Sequence, residues 1–295
     1  MFMCIFAIKA KNKFSVFVLS IFLSKIKVFL FFIILSVANQ AISQSVERGL
    51  EAANLGDFSA ALKEWKPLAD KGDMTAQYYL GIFYSFEDSD FFDLRKSAQY
   101  LRLSAEQGNA LAQTGLGSYY LFGDGVPQDY QEAEKWLKKA AKQGQIEAQL
   151  ILGQRYYQGD GFEKDFEQSL VYLRLAAEQD DAVAQFLLGY INEDMFSEPV
   201  DLIKAKKLYV RSAEQGYAPA QRMLGRMYLK DGWLADDLRM QEVGLMWSVI
   251  AMLRGDESAE FDVSVGESRL SNESIPRVQI LVDNCFDKKF VGCEN

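Results

Sequence analysis

The chain contains no histidine. This removes Ser-His and Cys-His nucleophilic pairs, histidine-bound zinc and the commonest general base near neutral pH. Phosphate-binding Gly-x-x-x-x-Gly-Lys loops and Gly-x-Ser-x-Gly elbows are also missing, and the single Ser-x-x-Lys match, Ser24 to Lys27, lies in an N-terminal leader. Acidic residues are plentiful, but none stands alone in the apolar setting that carboxylate catalysis requires. The acidic cluster Glu87, Asp88, Asp90 and Asp93 lacks the glycine and spaced glutamate of a calcium loop, so it reads as a solvated turn. No catalytic residue, cofactor, cofactor-binding residue or metal ligand is expected, and the chain is read as a non-enzyme.

Acidic residues are the second absence, confined to the first 43 positions. That leader carries five lysines (Lys9, Lys11, Lys13, Lys25, Lys27), an apolar run over 28–37, and small residues at Ala41 and Ser43 ahead of Gln44. The pattern is that of a secretory signal with cleavage before Gln44. An uncleaved membrane anchor is the alternative, although Lys25 and Lys27 interrupt the roughly 20 apolar residues a span needs. The expected location is therefore periplasmic or secreted, with anchoring by the apolar segment as the variant. Without the leader, the chain's 32 basic residues fall to 27 against 41 acidic ones, a net charge of −14. Such a surface disfavours nucleic acid and anionic lipid.

Cysteine is scarce as well. Cys4 belongs to the leader, which leaves Cys285 and Cys293. An even, local pair in an exported chain reads as a disulfide, with two free thiols as the alternative. Residues eight apart in a continuous helix rise about 12 Å, whereas bridged cysteines need Cα atoms within about 7 Å. The helix suggested over 275–286 must end between them and the chain must fold back.

What the chain does have is a repeat of 36 residues. Alanine returns at Ala76, Ala112, Ala148, Ala184 and Ala220, each followed by glutamine: Gln77, Gln113, Gln149, Gln185 and Gln221. Leu-Gly returns four residues after each alanine, from Leu80-Gly81 to Leu224-Gly225. A fixed period of this length signals a solenoid whose units bury their apolar faces against neighbours. Each unit reads as two helices. Ala112, Leu116 and Tyr120 form one stripe, Gly123 to Pro127 is a turn, and Asp129 stands at the N-cap of a second helix with Ala133, Trp136, Leu137, Ala140 and Ala141 facing inward. The cap column holds Asp57, Asp93, Asp129, Asp165 and Asp201. Gly72, Gly108, Gly144 and Gly216 fill the left-handed C′ position, with Asp180 as the exception. Five mid-helix glycines at one phase (Gly81, Gly117, Gly153, Gly189, Gly225) imply close helix approach, since each costs roughly 1 kcal/mol relative to alanine.

The combination Ala-x-x-x-Leu-Gly-x-x-Tyr, Gly-x-Gly-Val-x-x-Asp and Ala-x-x-Trp-x-x-x-Ala-Ala-x-x-Gly resembles the Sel-1-like repeat, a relative of the tetratricopeptide repeat. The resemblance implies an all-α, right-handed α-solenoid of helix–turn–helix units. Its expected layout is a leader at 1–43, an N-terminal half-repeat at 44–73, five repeats over 74–256, and a linker with a disulfide-closed helical cap over 257–295. The fifth repeat carries three extra residues between Asp231 and Trp247, and a longer turn is expected there. The first and fourth lose the glycine turn to Glu87-Asp88-Ser89-Asp90-Phe91-Phe92 and to Asp194-Met195-Phe196-Ser197.

The first helices of the units are expected to line a concave face. Beside their core stripe they carry Tyr78, Ile82, Leu121, Leu150, Tyr157, Phe186, Tyr190 and Leu229, together with Arg155, Arg222 and Arg226. Two readings stand: packing between neighbouring helices, or a groove for a helix or extended peptide with aromatic anchors and arginine contacts. The residues named for the groove are Tyr78, Ile82, Arg155, Tyr157, Phe186, Tyr190, Arg222 and Arg226. The resemblance implies a monomeric adaptor that binds a protein or peptide, with membrane contact only if the leader persists. A peptidoglycan- or polysaccharide-contacting protein is the rival. A β-lactam-binding or -hydrolysing enzyme is a distant third, because the relatives so described carry a disulfide in each repeat and these repeats contain no cysteine.

Overall fold

The computed structural model describes residues 40, 42–87, 89–193 and 201–294. Almost all of the leader, Asp88 and the Asp194-Met195-Phe196-Ser197 turn lie outside the described residues. Within them the protein is all-α, and no described helix is long and apolar enough to cross a membrane. The chain divides into two compact units, one ending at Asn109 and the other running from Ala110.

The first unit holds α1 (residues 42–54), α2 (Phe58–Ala69), α3 (Met74–Phe83) and α4 (Leu94–Glu106). The segment expected as a half-repeat is a complete helical hairpin. Gly49 of α1 faces the Trp65 ring, whose Nε1 donates to the Val46 carbonyl at 3.2 Å. A tryptophan needs two helices to bury it, and α1 supplies the second.

The second unit holds α5 (Ala110–Phe122), α6 (Tyr130–Lys142), α7 (Ile146–Gln158), α8 (Phe166–Glu178), α9 (Ala182–Glu193) and α10 (Leu202–Glu214). It continues with α11 (Ala218–Ala235), α12 (Leu238–Leu253), α13 (Ala259–Arg269) and α14 (Ser274–Asp287). All five repeated alanines are fully buried, and the repeated leucines are at most 5% exposed. All five aspartates of the cap column accept from a backbone N–H of the helix they open, and Asp237 does the same for α12. The column glycines have φ between 82° and 100°, and Asp180 takes the same turn at 63°. Gln185 and Arg211 hydrogen-bond its carboxylate in place. Removing the Asp165 side chain leaves the α8 N-terminus uncapped, so Asp165→Ala should cost about 1 kcal/mol in urea unfolding.

The glutamine column forms a ladder within the repeats. Gln149 donates to the carbonyl of Ala141 in the preceding helix and accepts from Gln179 thirty residues on, at 3.1 and 3.0 Å. Gln77 makes the equivalent pair with Ala69 and Gln107, and Gln185 accepts from Gln215. The last rung is broken. Arg254 stands where the partner glutamine would be and donates to Gly216 O, so the buried Gln221 Oε1 has no partner. A buried orphan is expensive. Gln149→Leu should therefore cost about 2 kcal/mol and Gln221→Leu clearly less, a contrast that parallel urea titrations measure.

Two expectations need correction. The extra residues of the fifth repeat do not lengthen its turn; they lengthen its helices, to 18 residues in α11 and 16 in α12 against 13 in α5 and α6. Asp231 and Trp233 occupy the positions where Gly123 and Gly125 break the second repeat, and Gly232 between them stays helical against Gln241 of α12, so the first positive φ comes at Asp236, at 54°. The segment after Asp256 is not a linker either. It contains α13, whose Ala259, Val263 and Gly266 form a buried i, i+4, i+7 stripe, with Gly266 closing onto Leu245 of α12. Its short stripe is interleaved with serines and acids, which hides it in composition. After α14 the chain turns back through Lys289, Phe290 and Gly292, all at positive φ, and brings Cys285 and Cys293 to a Cα separation of 5.1 Å with their sulfurs at bonding distance.

Candidate functional site

Consecutive first helices α7 and α9 place side chains on a shared edge. Gln154, Tyr157 and Gln158 project from α7, and Phe186, Leu187, Tyr190 and Ile191 from α9, with Leu173 of α8 as the floor. They enclose a pocket of about 190 Å³ that has no charged residue in its lining. The Tyr157 ring meets Tyr190 edge-on at 6.4 Å and Phe166 at 5.6 Å, a geometry that the ring quadrupoles favour. Tyr190 is 47% exposed. The pocket therefore offers an apolar floor, two phenols and two primary amides. It can seat an apolar side chain and hydrogen-bond a neighbouring backbone, and it contains no nucleophile paired with a base.

Of the eight residues named for the groove, the structure brings Tyr157, Phe186 and Tyr190 together. Phe186 is divided between the pocket and the core, since it also packs against Tyr209 and Tyr217 at 5.8 and 5.3 Å. Tyr78 and Ile82 lie half-buried in the first unit, Tyr78 against Tyr79. The arginines serve other contacts. Arg155 pairs with Asp160 and lies over the Phe122 ring, Arg222 pairs with Asp256 at 2.8 Å, and Arg226 faces Asp262 at 3.6 Å. Leu121 and Leu229, counted with the apolar face, are 2% and 3% exposed and belong to the core. There the packing reading holds.

Sequence reading missed a second pocket, built by α11 and α13 around Met223, Met227, Trp233, Phe261 and Val265. Met223 and Met227 at i, i+4 were the available signal, but Phe261, Asp262 and Val265 come from the segment read as linker. Nearby, burial and then the Glu193 carboxylate push the Tyr209 hydroxyl well above its ordinary range. Burial likewise raises the Asp262 carboxyl, with Arg226 opposing. Among the described residues no group of His, Cys, Asp and Glu could hold a metal ion.

Comparison with known proteins agrees with this architecture. The Sel1 repeat model matches residues 75–109, 110–145, 146–181, 182–217 and 218–233. A Sel1 repeat protein from Oxalobacter formigenes is 30% identical with a TM-score of 0.65, the match covering 76% of this chain and 65% of that one. This chain thus spans just under two thirds of that relative's length. The protective antigen c5321 of uropathogenic Escherichia coli, described as displaying an SLR fold, is 29% identical over 82% of this chain and 60% of that one, with a TM-score of 0.44. No curated protein matches. Repeat columns, helix pairs and the family-model match agree, and the chain belongs to the Sel1-repeat family.

Proposed function

We propose that this protein is an exported, monomeric and non-catalytic adaptor that binds a protein or peptide partner at the edge formed by α7 and α9. Sel1-repeat proteins are generally protein–protein interaction scaffolds. The observation that carries the reading here is the uncharged pocket of Tyr157, Phe186 and Tyr190, in which a large, half-exposed aromatic sits over an apolar floor. Aromatic anchors that become buried on binding dominate recognition energies. The lysine-rich leader with its Ala41-Ile42-Ser43 site supports export, as does the juxtaposition of Cys285 and Cys293.

The amides of Gln154 and Gln158 beside two phenols also suit a sugar ring, so the test carries a glycan arm. The wild-type protein and a Tyr157→Ala, Tyr190→Ala variant are used as bait for envelope proteins and, separately, for peptidoglycan fragments. Tyr190 is half-exposed but Tyr157 packs against the core of α8 and α9, so circular dichroism and a melting curve first establish that the variant is folded. The expected result is a polypeptide retained by the wild type and reduced at least about tenfold with the variant. Retention of glycan alone would replace the adaptor with a wall-binding protein.

A further inference from the structure

Hydrogen bonds set α8 between α6 and α10: Gln179 beyond α8 donates to Gly144 O beyond α6, and Arg211 of α10 donates to Asp180. The 36-residue period puts equivalent positions of these three second helices in register. One row reads Lys135, Val171 and Lys207, the next Lys139, Leu175 and Arg211, and all six residues are exposed. Exposed apolar residues are ordinary when scattered singly. Here Val171 and Leu175 are 46% and 40% exposed and stand at i, i+4 on one face of α8, with a cation on either side in both rows.

The positive charge is local. Helix α6 carries four lysines against two glutamates, and α10 four cations against one glutamate, in a chain that beyond its leader carries −14. Lys138 and Lys206 are held by Glu134 and Asp231. Lys135 and Arg211 make exposed pairs with Glu132 and Asp180, a kind that contributes little and exchanges readily. Among the described residues Lys139, Arg174 and Lys207 have no carboxylate partner, and Lys139 rests on the Trp136 ring at 3.9 Å. The two acids of α8, Glu167 and Glu178, stand at its ends, outside the strip.

An apolar pair inside a cationic frame complements an amphipathic segment whose apolar stripe is bordered by acids. An anionic bilayer also combines charge with apolar depth, but its extended plane would repel the rest of this acidic chain. A narrow segment meets only the strip. We propose that the face of α6, α8 and α10 docks an acidic amphipathic segment of a partner polypeptide. Its apolar side chains lie over Val171 and Leu175, and its carboxylates meet Lys139, Arg174 and Lys207. The α7–α9 pocket has no charge in its lining, so the two surfaces select different chemistry and take different polypeptides.

Calorimetry with the purified protein tests the assignment. The probes are acetyl-Glu-Leu-Glu-Glu-Leu-Leu-Glu-Glu-Leu-Glu-amide and the same peptide with glutamine at every glutamate. The acidic peptide should bind, less tightly as salt rises, with the glutamine peptide at least about tenfold weaker. A Lys139→Gln, Arg174→Gln, Lys207→Gln variant, shown to be folded by its melting curve, should lose at least about tenfold in affinity for the acidic peptide. Leu175→Ser, a change on the exposed face of α8, should weaken both peptides. Equal affinity of the two peptides, affinity that survives the triple substitution, or no binding at millimolar peptide would each overturn the proposal. Co-sedimentation with phosphatidylglycerol vesicles that the triple variant loses, without peptide binding, would assign the face to a lipid surface instead.

Discussion

Gly153→Leu should destabilise the protein by about 3 kcal/mol or more and broaden its unfolding transition. A Cβ at Gly153 would lie 2.6 Å from Cγ of Leu173, inside the space of a fully buried side chain on the paired helix. The α8 backbone cannot retreat, because the Ser169 hydroxyl donates to the Gly153 carbonyl at 2.7 Å, so Leu173 would have to turn out into the pocket whose floor it forms. The same close approach recurs where Gly81 meets Leu101, Gly117 meets Leu137 and Gly189 meets Tyr209. The cost is therefore steric and local, which a compensating change can show. Gly153→Ala alone should be destabilising, and Gly153→Ala with Leu173→Ala should cost less than the sum of the two single changes. Urea unfolding of the four proteins measures that coupling. Strict additivity would mean that the helices are free to separate.

Reduction should lower the unfolding free energy by about 2.5 kcal/mol, the chain-entropy value for so short a loop. Cys285 and Cys293 are 1% and 4% exposed and end a segment that docks back on the repeats. The Gly292 N–H donates to Glu214 at 3.0 Å, and Phe290 lies beneath Arg254 at 4.9 Å. Freed of the crosslink, this terminal turn loses its register against α10 and α12. The check is unfolding with and without dithiothreitol, alongside a Cys285→Ala, Cys293→Ala variant that should match the reduced wild type and ignore reductant. Identical curves for oxidised and reduced wild type would show that the two cysteines are not bridged or that the bridge carries no stability.

Much of the repeat was legible in the sequence because each column has a single physical task that few residue types perform. An N-cap needs an acceptor on a short side chain, so aspartate recurs; a C′ turn needs positive φ, so glycine recurs; a crowded helix crossing admits only glycine. The cap column and the close helix approach at Gly153 follow directly, while its partner Leu173 is seen only in the structure. The correction at α11 has the same origin. Asp231 and Trp233 removed the break, and an expectation built on counting inserted residues missed that helices propagate unless something stops them. Helix α13 was hidden for a different reason: three small buried residues, Ala259, Val263 and Gly266, carry its stripe, and its one large aromatic, Phe261, points outward. The site was legible only in part. Residue type marked Tyr157, Phe186 and Tyr190 as one aromatic face, but the acids that engage Arg155, Arg222 and Arg226 become neighbours only in the folded chain.

The central claim is that the edge of α7 and α9 meets a polypeptide. Its most direct test replaces Tyr190 with the photo-crosslinking residue p-benzoylphenylalanine in cells that express the protein, with the exposed Lys139 of α6 substituted the same way as a control. The account predicts a discrete polypeptide adduct from position 190 that is absent from position 139. Adducts of equal yield and identity from both positions, or none from 190 while 139 yields one, would contradict it.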